Sequence, residues 1–161
     1  MVGAGRADGR ELELARELGL RLARGGAVIL CGGLGGVMEA ACAGAHSGGA
    51  VTVGLLPGED RAAANEHVDV AIATGMGELR NALLARGCDA MVAVGGEWGT
   101  LSEIALALKL GRPVVALESW RLERPGLRDR GPRLARDPAE AAALALNLAA
   151  ARGPAPDADR G

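Results

Sequence analysis

Short aliphatic runs alternate with helix-forming segments along most of this chain. The runs AVILCGG (27–33) and DAMVAVGG (89–96) are continuous and apolar, as expected of strands buried on both faces. The segments 8–26 and 100–111 instead carry apolar residues at helical spacing. Alternation of this kind produces right-handed crossovers between parallel strands. The sequence therefore predicts an α/β, Rossmann-like doubly wound fold, in which a mainly parallel sheet has helices on both faces.

The composition fits one domain with an aliphatic core. The chain has 161 residues, of which 49% are hydrophobic, and it contains neither Phe nor Tyr. We predict a single domain over residues 1–151 and a disordered tail over 152–161, where Pro, Gly and charged residues dominate. The opening MVGAGRADG is too short for a complete first strand. We therefore expect that this strand is truncated, or that another subunit covers the edge of the sheet.

The segment boundaries carry recognisable end signals. Gly25-Gly26 should stop the first helix. RPVVAL (112–117) is predicted to be the last strand, and residues 118–136 are predicted to form a loop. In the final helix Asp137 can act as N-cap, with Pro138 at the first helical position and Glu140 two positions further on.

Charge and cysteine content exclude several function classes. A net charge of −2 gives no electrostatic reason to expect nucleic acid or an anionic membrane as partner. No apolar run approaches the ~20 residues of a membrane span. Three cysteines do not suggest a disulfide framework, and a cytoplasmic location is expected. Cys42 and His46 lie four residues apart, but two ligands are too few, so no bound metal is expected.

Two predicted strands end in glycine clusters that lead directly into helices. The first amides of a helix lack intrahelical partners, and the helix dipole places partial positive charge there. Glycine lets an anion approach those amides, so we predict that both helix starts bind the phosphate of one phosphorylated small molecule. Neither cluster matches a P-loop or a GxGxxG dinucleotide motif. The predicted binding residues are Gly32, Gly33, Gly35, Gly36, Val37 and Met38 in the first cluster, and Gly95, Gly96, Trp98, Gly99 and Thr100 in the second.

Three stretches carry a resemblance to a known family. CGGLGGVMEAACAGA, LPGEDRAAANEHVDVAIATGMGELRNALL and VGGEWGTLSEIALALKLGRPVV resemble bacterial proteins close to molybdenum cofactor carrier proteins. These belong to the superfamily of the LONELY GUY phosphoribohydrolases, often mislabelled lysine decarboxylases. The resemblance covers about residues 10–118. It implies a Rossmann-like fold, a homo-oligomer (dimer or tetramer), and molybdenum cofactor or a nucleotide as bound ligand, with no cofactor required.

The resemblance leaves open whether the protein is an enzyme. The hydrolases carry PGGxGTxxE and an upstream arginine, and they split a nucleoside 5′-monophosphate into base and ribose 5-phosphate. Glu103 and Arg80 occupy the corresponding positions and are the implied catalytic residues. Val94 replaces the proline of that motif, and Asn81 stands where the hydrolases usually have lysine; both departures favour a carrier. Pyridoxal phosphate chemistry is not expected, because the single lysine, Lys109, lies ~13 Å along its helix from Thr100.

Each candidate side chain also has an ordinary structural interpretation. Thr100 and Glu103 have the spacing of a capping box, which competes with a catalytic role for Glu103. Arg80 either grips an anion or lies solvated on its helix. Trp98 either stacks over the cleft or packs between subunits. Asn81 either binds ligand or caps a helix, and Met38 has packing as its main alternative.

Overall fold

The computed structural model describes residues 1–123, 126 and 131–152. Strands and helices alternate along this part of the chain, as the hydrophobic pattern predicts. The strands are β1 (Val2–Gly3), β2 (Ile29–Cys31), β3 (Thr52–Leu56), β4 (Val70–Ala73), β5 (Met91–Val94), β6 (Val114–Leu117) and β7 (Arg133–Ala135). The helices are α1 (Gly9–Arg24), α2 (Val37–Ser47), α3 (Asn81–Gly87), α4 (Trp98–Lys109) and α5 (Pro138–Ala150), with short 3-10 helices at Arg61–Ala63 and Gly77–Arg80.

Every paired strand is parallel to its neighbour among the described residues. One ladder has the order β1-β5-β6-β7 and the other has the order β2-β3-β4. The amino group of Met1 donates a hydrogen bond to the carbonyl of Leu30, which brings β2 alongside β1. The strands therefore run in the order β4-β3-β2-β1-β5-β6-β7. The chain moves outward from β1 in one direction and then returns to its other side at β5, which is the topology of a doubly wound fold.

Helices cover both faces of the sheet, so the predicted α/β fold is confirmed. Val92 and Val94 of β5 point into a core shared with α1, α2 and α5. Met91 and Ala93 of the same strand point into a second core, shared with α3 and α4. Because successive side chains alternate between the faces, the strand must be apolar at every position.

Several local predictions can be compared with the structure. The first helix ends at Arg24 with Gly25 as C-cap, as predicted. Asp137 accepts a hydrogen bond from the amide of Glu140 and Pro138 begins α5, which confirms the predicted cap. The segment 77–87 is helical, although its first turn is a 3-10 helix.

The prediction that residues 118–136 form a loop, with the last strand before it, is wrong. β7 lies inside that segment and pairs with β6, placing Arg133 opposite Val115. β1 has only two residues, as the short opening segment suggests. The extent of the domain stays a prediction, and the tail predicted for 152–161 lies outside the described residues from 153 onward. Within the described part of the chain, no helix has both the length and the apolar character needed to cross a membrane.

Candidate ligand-binding site

The loops that follow β1, β2 and β5 meet at the carboxyl edge of the sheet. A Cβ built on Gly3 would lie 2.6 Å from the carbonyl oxygen of Val94 and 2.7 Å from the Cβ of Val37. The end of β5 and the start of α2 therefore both contact β1. Both glycine clusters lead into helices that begin at this one edge, which is where open α/β folds bind ligands.

The first glycine loop (residues 32–36) approaches the backbone after β1 very closely. Gly33 and Gly36 have φ of +75° and +68°, a conformation that L side chains rarely adopt. A Cβ on Gly36 would lie 2.6 Å from the carbonyl oxygen of Gly5. The amide of Val37 donates to the carbonyl of Ala4 at 3.1 Å. In this structure the Val37 amide, which the sequence placed among the ligand-binding groups, is already engaged by the chain itself.

Asn65 holds the first glycine loop in place, and the sequence analysis did not single it out for that role. Its amide donates to the carbonyl of Gly33 at 2.9 Å, and its side-chain Nδ2 donates to the carbonyl of Leu34 at 2.9 Å. Asn65 lies in an irregular connection 32 positions from Gly33. No local pattern indicates such a contact, so only the tertiary structure reveals it.

Arg80 brings a buried positive charge to the first glycine loop. Only 8% of the residue is exposed. Its guanidinium lies over Gly32: a Cβ built there would be 2.7 Å from Nη1 and 2.7 Å from the Sδ of Met38. Glycine at position 32 therefore makes room for the guanidinium, and Met38 packs beside it. The interpretation of Arg80 as a solvated helix residue is wrong.

Two nitrogen atoms of this guanidinium, Nε and Nη1, have no hydrogen-bond partner among the described residues. The nearest carboxylate oxygen, Oε1 of Glu103, is 3.6 Å from Nη1, beyond normal hydrogen-bond distance. A buried, charged group with unpaired donors costs free energy unless another group satisfies it. This arrangement suits an anion that supplies oxygen acceptors.

Glu103 is buried on α4 and faces Arg80. Burial raises the pKa of its carboxyl group, and the nearby Arg80 charge opposes that rise. The capping-box interpretation of Thr100 and Glu103 is wrong, because α4 begins two residues before Thr100, with Glu97 as N-cap and no side-chain cap. The carboxyl group is thus directed to the arginine and not to its own helix end.

The second glycine loop (residues 95–97) leads into the open start of α4. Gly95 and Gly96 have φ of +54° and +108°. A Cβ on Gly96 would lie 2.6 Å from the Oγ1 of Thr100, whose side chain is buried. A Cβ on Gly99 would have no atom of the described residues within 4 Å, so these residues leave the start of the helix open on that side. As first residues of a helix, Trp98, Gly99 and Thr100 have amides without intrahelical acceptors.

Asn81 links the segment that carries Arg80 to α4. Its Nδ2 donates to the Oγ of Ser102 at 3.4 Å, and Ser102 donates to the carbonyl of Gly99 at 2.7 Å. Asn81 is the first residue of α3. In this structure its side chain therefore connects two helix starts.

A shallow crevice of about 320 Å³ lies beside the second glycine loop. Its walls are Glu11 of α1, the loop after β6, and Gly95-Gly96. The Cδ of Glu11 would be 2.6 Å from a Cβ built on Gly95, so a carboxylate lies directly against this loop. The crevice residues are Glu11, Gly95, Gly96, Glu118, Ser119, Trp120 and Arg121. Apart from the two glycines, none of them is among the ligand-binding residues predicted from sequence.

Two buried thiols lie under the first glycine loop. The Sγ atoms of Cys31 and Cys42 are 3.5 Å apart, and the amide of Gly33 donates to the Sγ of Cys31 at 3.3 Å. The hydrogen bond with Cys42 lowers the pKa of Cys31 to about 6 and raises that of Cys42. Cys42 and His46 share a helix, but no three potential metal ligands are grouped anywhere in the described ranges.

Comparison with known families gives a consistent assignment. The sequence model of the SLOG cluster4 family matches residues 1–142. An uncharacterised protein from Archaeoglobus fulgidus is 43% identical over 118 residues, which are 73% of this chain and 78% of that protein.

Two solved structures are similar over most of their length. The molybdenum cofactor binding protein from Rippkaea orientalis has a TM-score of 0.80 and 36% identity, over 86% of this chain and 88% of that one. The molybdenum cofactor carrier protein from Chlamydomonas reinhardtii has a TM-score of 0.80 and 35% identity, over 92% of this chain and 94% of that one.

Proposed function

The chain belongs to the SLOG cluster4 family, and we propose that it binds a phosphorylated small molecule, nucleotide-like or pterin-type, at the glycine-rich starts of α2 and α4. The observation that carries this proposal is the buried guanidinium of Arg80, whose Nε and Nη1 find no hydrogen-bond partner in the described part of the chain. A phosphate oxygen is the acceptor that would satisfy them. The binding residues we propose are Gly32, Gly33, Gly35, Gly36, Met38, Arg80, Asn81, Gly95, Gly96, Trp98, Gly99 and Thr100. Val37 is left out because its amide already donates to the carbonyl of Ala4.

Molybdenum cofactor and nucleotides are the two ligand classes we propose. The similar solved structures from Rippkaea orientalis and Chlamydomonas reinhardtii are described as molybdenum cofactor binding and carrier proteins. The residues of this chain fit an anionic ligand, because the guanidinium donors without a partner among the described residues belong to a buried arginine that lies against Gly32 of the first glycine loop. Arg80 and the first glycine loop would hold the phosphate.

Calorimetric titration tests this proposal. Adenosine 5′-monophosphate, guanosine 5′-monophosphate, ribose 5-phosphate and a molybdopterin-type compound are titrated into the protein at fixed ionic strength. Arg80→Lys keeps the charge but loses the planar donor pair, so we expect its affinity to fall about tenfold. Arg86→Lys is the matched control at an exposed position, and its affinity should not change. Absence of binding at millimolar concentrations of every compound would sink the proposal.

A phosphoribohydrolase is the second candidate function, favoured by the contact between Arg80 and Glu103. In this reaction the oxygen of a water molecule bonds to C1′ of the ribose while the N-glycosidic bond breaks and the proton of the water passes to the leaving base, giving free base and ribose 5-phosphate. A carboxylate at position 103 would orient the water and stabilise the oxocarbenium-like transition state. Incubation with adenosine 5′-monophosphate, followed by chromatography for free adenine, tests this. Release that persists unchanged in Glu103→Gln would exclude Glu103 as a catalytic residue.

A further inference from the structure

Both large aromatic side chains of the chain lie next to each other beside the second glycine loop. The sequence contains two tryptophans and neither phenylalanine nor tyrosine. The ring centroids of Trp98 and Trp120 are 5.3 Å apart, and the ring planes are inclined by 36°. A chain that builds its core without any aromatic ring thus places its only two indoles at the edge of the candidate site.

Trp98 is 76% exposed although it is the largest apolar side chain available to the core. It is the first residue of α4, and the first amides of a helix lack intrahelical acceptors. An exposed indole has apolar surface to bury against a partner, and ring stacking adds to that gain. Covering the exposed ring of Trp98 with a ligand or a partner would therefore contribute favourable binding free energy.

Trp120 is held in position by the second glycine loop. Its Nε1 donates to the carbonyl of Glu97 at 3.3 Å, and the neighbouring Ser119 donates to the carbonyl of Gly95. Glu118 has φ of +48°, which is uncommon for a residue other than glycine, and its carboxylate is bound by Arg10. These contacts orient the ring before any ligand binds, which reduces the entropy that binding costs.

The crevice beside the second glycine loop has different charges from the surroundings of Arg80. The carboxylate of Glu11 lies against Gly95, and its Oε2 accepts a hydrogen bond from the amide of Asp8 at 3.1 Å. Glu118, which is paired with Arg10, and Arg121 line the same crevice, so Glu11 is its carboxylate without a basic partner among the described residues. A phosphate next to Glu11 would be repelled, whereas a ring that carries N–H groups can donate to it. The crevice volume of about 320 Å³ is at the lower end of the range for small-molecule sites.

We infer that Trp98 and Trp120, with Glu11, form a subsite for a planar nitrogen heterocycle bearing N–H donors, such as a purine or a pterin ring. This inference rests on the proposed function, and it fixes the direction of the ligand in the site. The phosphate lies at Arg80 and the first glycine loop. The ring lies at the start of α4, against Trp98.

Tryptophan emission tests the subsite directly, because both indoles of the chain belong to it. Guanosine and adenosine 5′-monophosphate should quench the emission, and the dissociation constant from quenching should equal the one from calorimetry. Ribose 5-phosphate should bind without quenching. Trp98→Ala should weaken nucleotide binding about five- to a hundredfold, the usual range for a lost stacking partner. It should leave the affinity for ribose 5-phosphate unchanged. Trp98→Phe should retain most of the nucleotide affinity. Val28→Ala, at an exposed valine before β2, should change neither affinity.

The outcomes separate this inference from the proposed function. Equal affinities for ribose 5-phosphate and the nucleotides, with no change of emission, would overturn the subsite while phosphate binding stands. Emission that depends on protein concentration without ligand would assign the indoles to a contact between subunits, and would overturn the subsite as well. If no phosphorylated compound binds, the proposed function fails and the subsite fails with it.

Discussion

The buried Arg80–Glu103 pair should affect the free energy of unfolding of this protein. Both side chains are only 9% exposed, and two nitrogen atoms of the arginine have no hydrogen-bond partner within residues 1–123, 126 and 131–152. Removing one member of a buried pair leaves the other charge uncompensated, whereas replacing both by apolar residues is often neutral or stabilising. We expect Arg80→Met to lower the free energy of unfolding by about 3 kcal/mol at pH 7, and the double variant Arg80→Met/Glu103→Leu to recover most of that loss.

Urea denaturation of the ligand-free variants measures this effect. Arg86→Met changes an exposed arginine on α3 and should stay within about 0.5 kcal/mol of the unmodified protein. A double variant no more stable than Arg80→Met would contradict the expected cost of the buried pair.

The raised pKa of Glu103 predicts a pH dependence of stability. A carboxyl group whose pKa is higher in the folded state than in the unfolded state binds its proton more tightly when folded. Its contribution to stability is complete below the unfolded pKa, near 4.3, and decreases as pH rises through the folded pKa. The stability of the unmodified protein relative to Glu103→Gln should therefore fall as pH rises above about 4.5. Urea midpoints of both proteins, measured from pH 4 to 8, check this expectation. It would be contradicted if the stability of the unmodified protein relative to Glu103→Gln increased with pH.

At the scale of whole elements, α1 and α2 pack backbone against backbone through two glycines. A Cβ on Gly44 of α2 would lie 2.8 Å from the carbonyl carbon of Arg16, and one on Gly19 would lie 3.0 Å from that of Ala41. We expect Gly44→Ala to push the helices apart and to lower the free energy of unfolding by about 1–3 kcal/mol. Gly9→Ala, at an open position of α1, should be neutral or slightly stabilising. Thermal unfolding followed by circular dichroism compares the two variants with the unmodified protein. A Gly44→Ala melting temperature equal to that of Gly9→Ala would refute the close packing.

The elements that the sequence predicts best are those with a strong local pattern. β5 is buried at all four positions, and the run Met91–Val94 shows this as uninterrupted aliphatic residues. α5 has a cap that can be identified from Asp137 and Pro138 alone. The glycine clusters also reveal where two helices begin. Each of these signals is contained in a few consecutive residues, so the sequence alone can carry it.

Contacts between residues that are far apart in the sequence could not be predicted from local patterns. β7 is short and largely exposed, so it has no hydrophobic pattern, and only its pairing with β6 makes it a strand. Glu103 matched a capping box because local spacing cannot show that Arg80 lies opposite. Trp120 is 22 residues from Trp98, and the contact between them appears only when β5 and β6 lie side by side.

At the scale of the whole molecule, the carboxyl edge of the sheet and the outer strand β4 expose different kinds of residue. The carboxyl edge gathers glycines, a buried cation and two indoles. β4 is at the end of its ladder, and neither of its faces is fully buried. Val70 and Ile72 are exposed on it, and Leu79, in the 3-10 helix Gly77–Arg80 that follows, is 74% exposed. Large apolar side chains on an edge strand invite pairing with another chain unless they are covered.

We expect these side chains to be covered by another copy of the chain, giving the predicted dimer or tetramer. Light scattering of the ligand-free protein should then give a mass that is a multiple of 16.2 kDa. Ile72→Lys and Leu79→Glu should shift the mass to that of one chain, because burying an unpaired charge in an interface is costly. Val51→Lys, at a comparably exposed valine before β3, should leave the assembly intact. A single species of 16.2 kDa at high protein concentration would refute the assembly, and dissociation by Val51→Lys alone would assign the contact to a different surface.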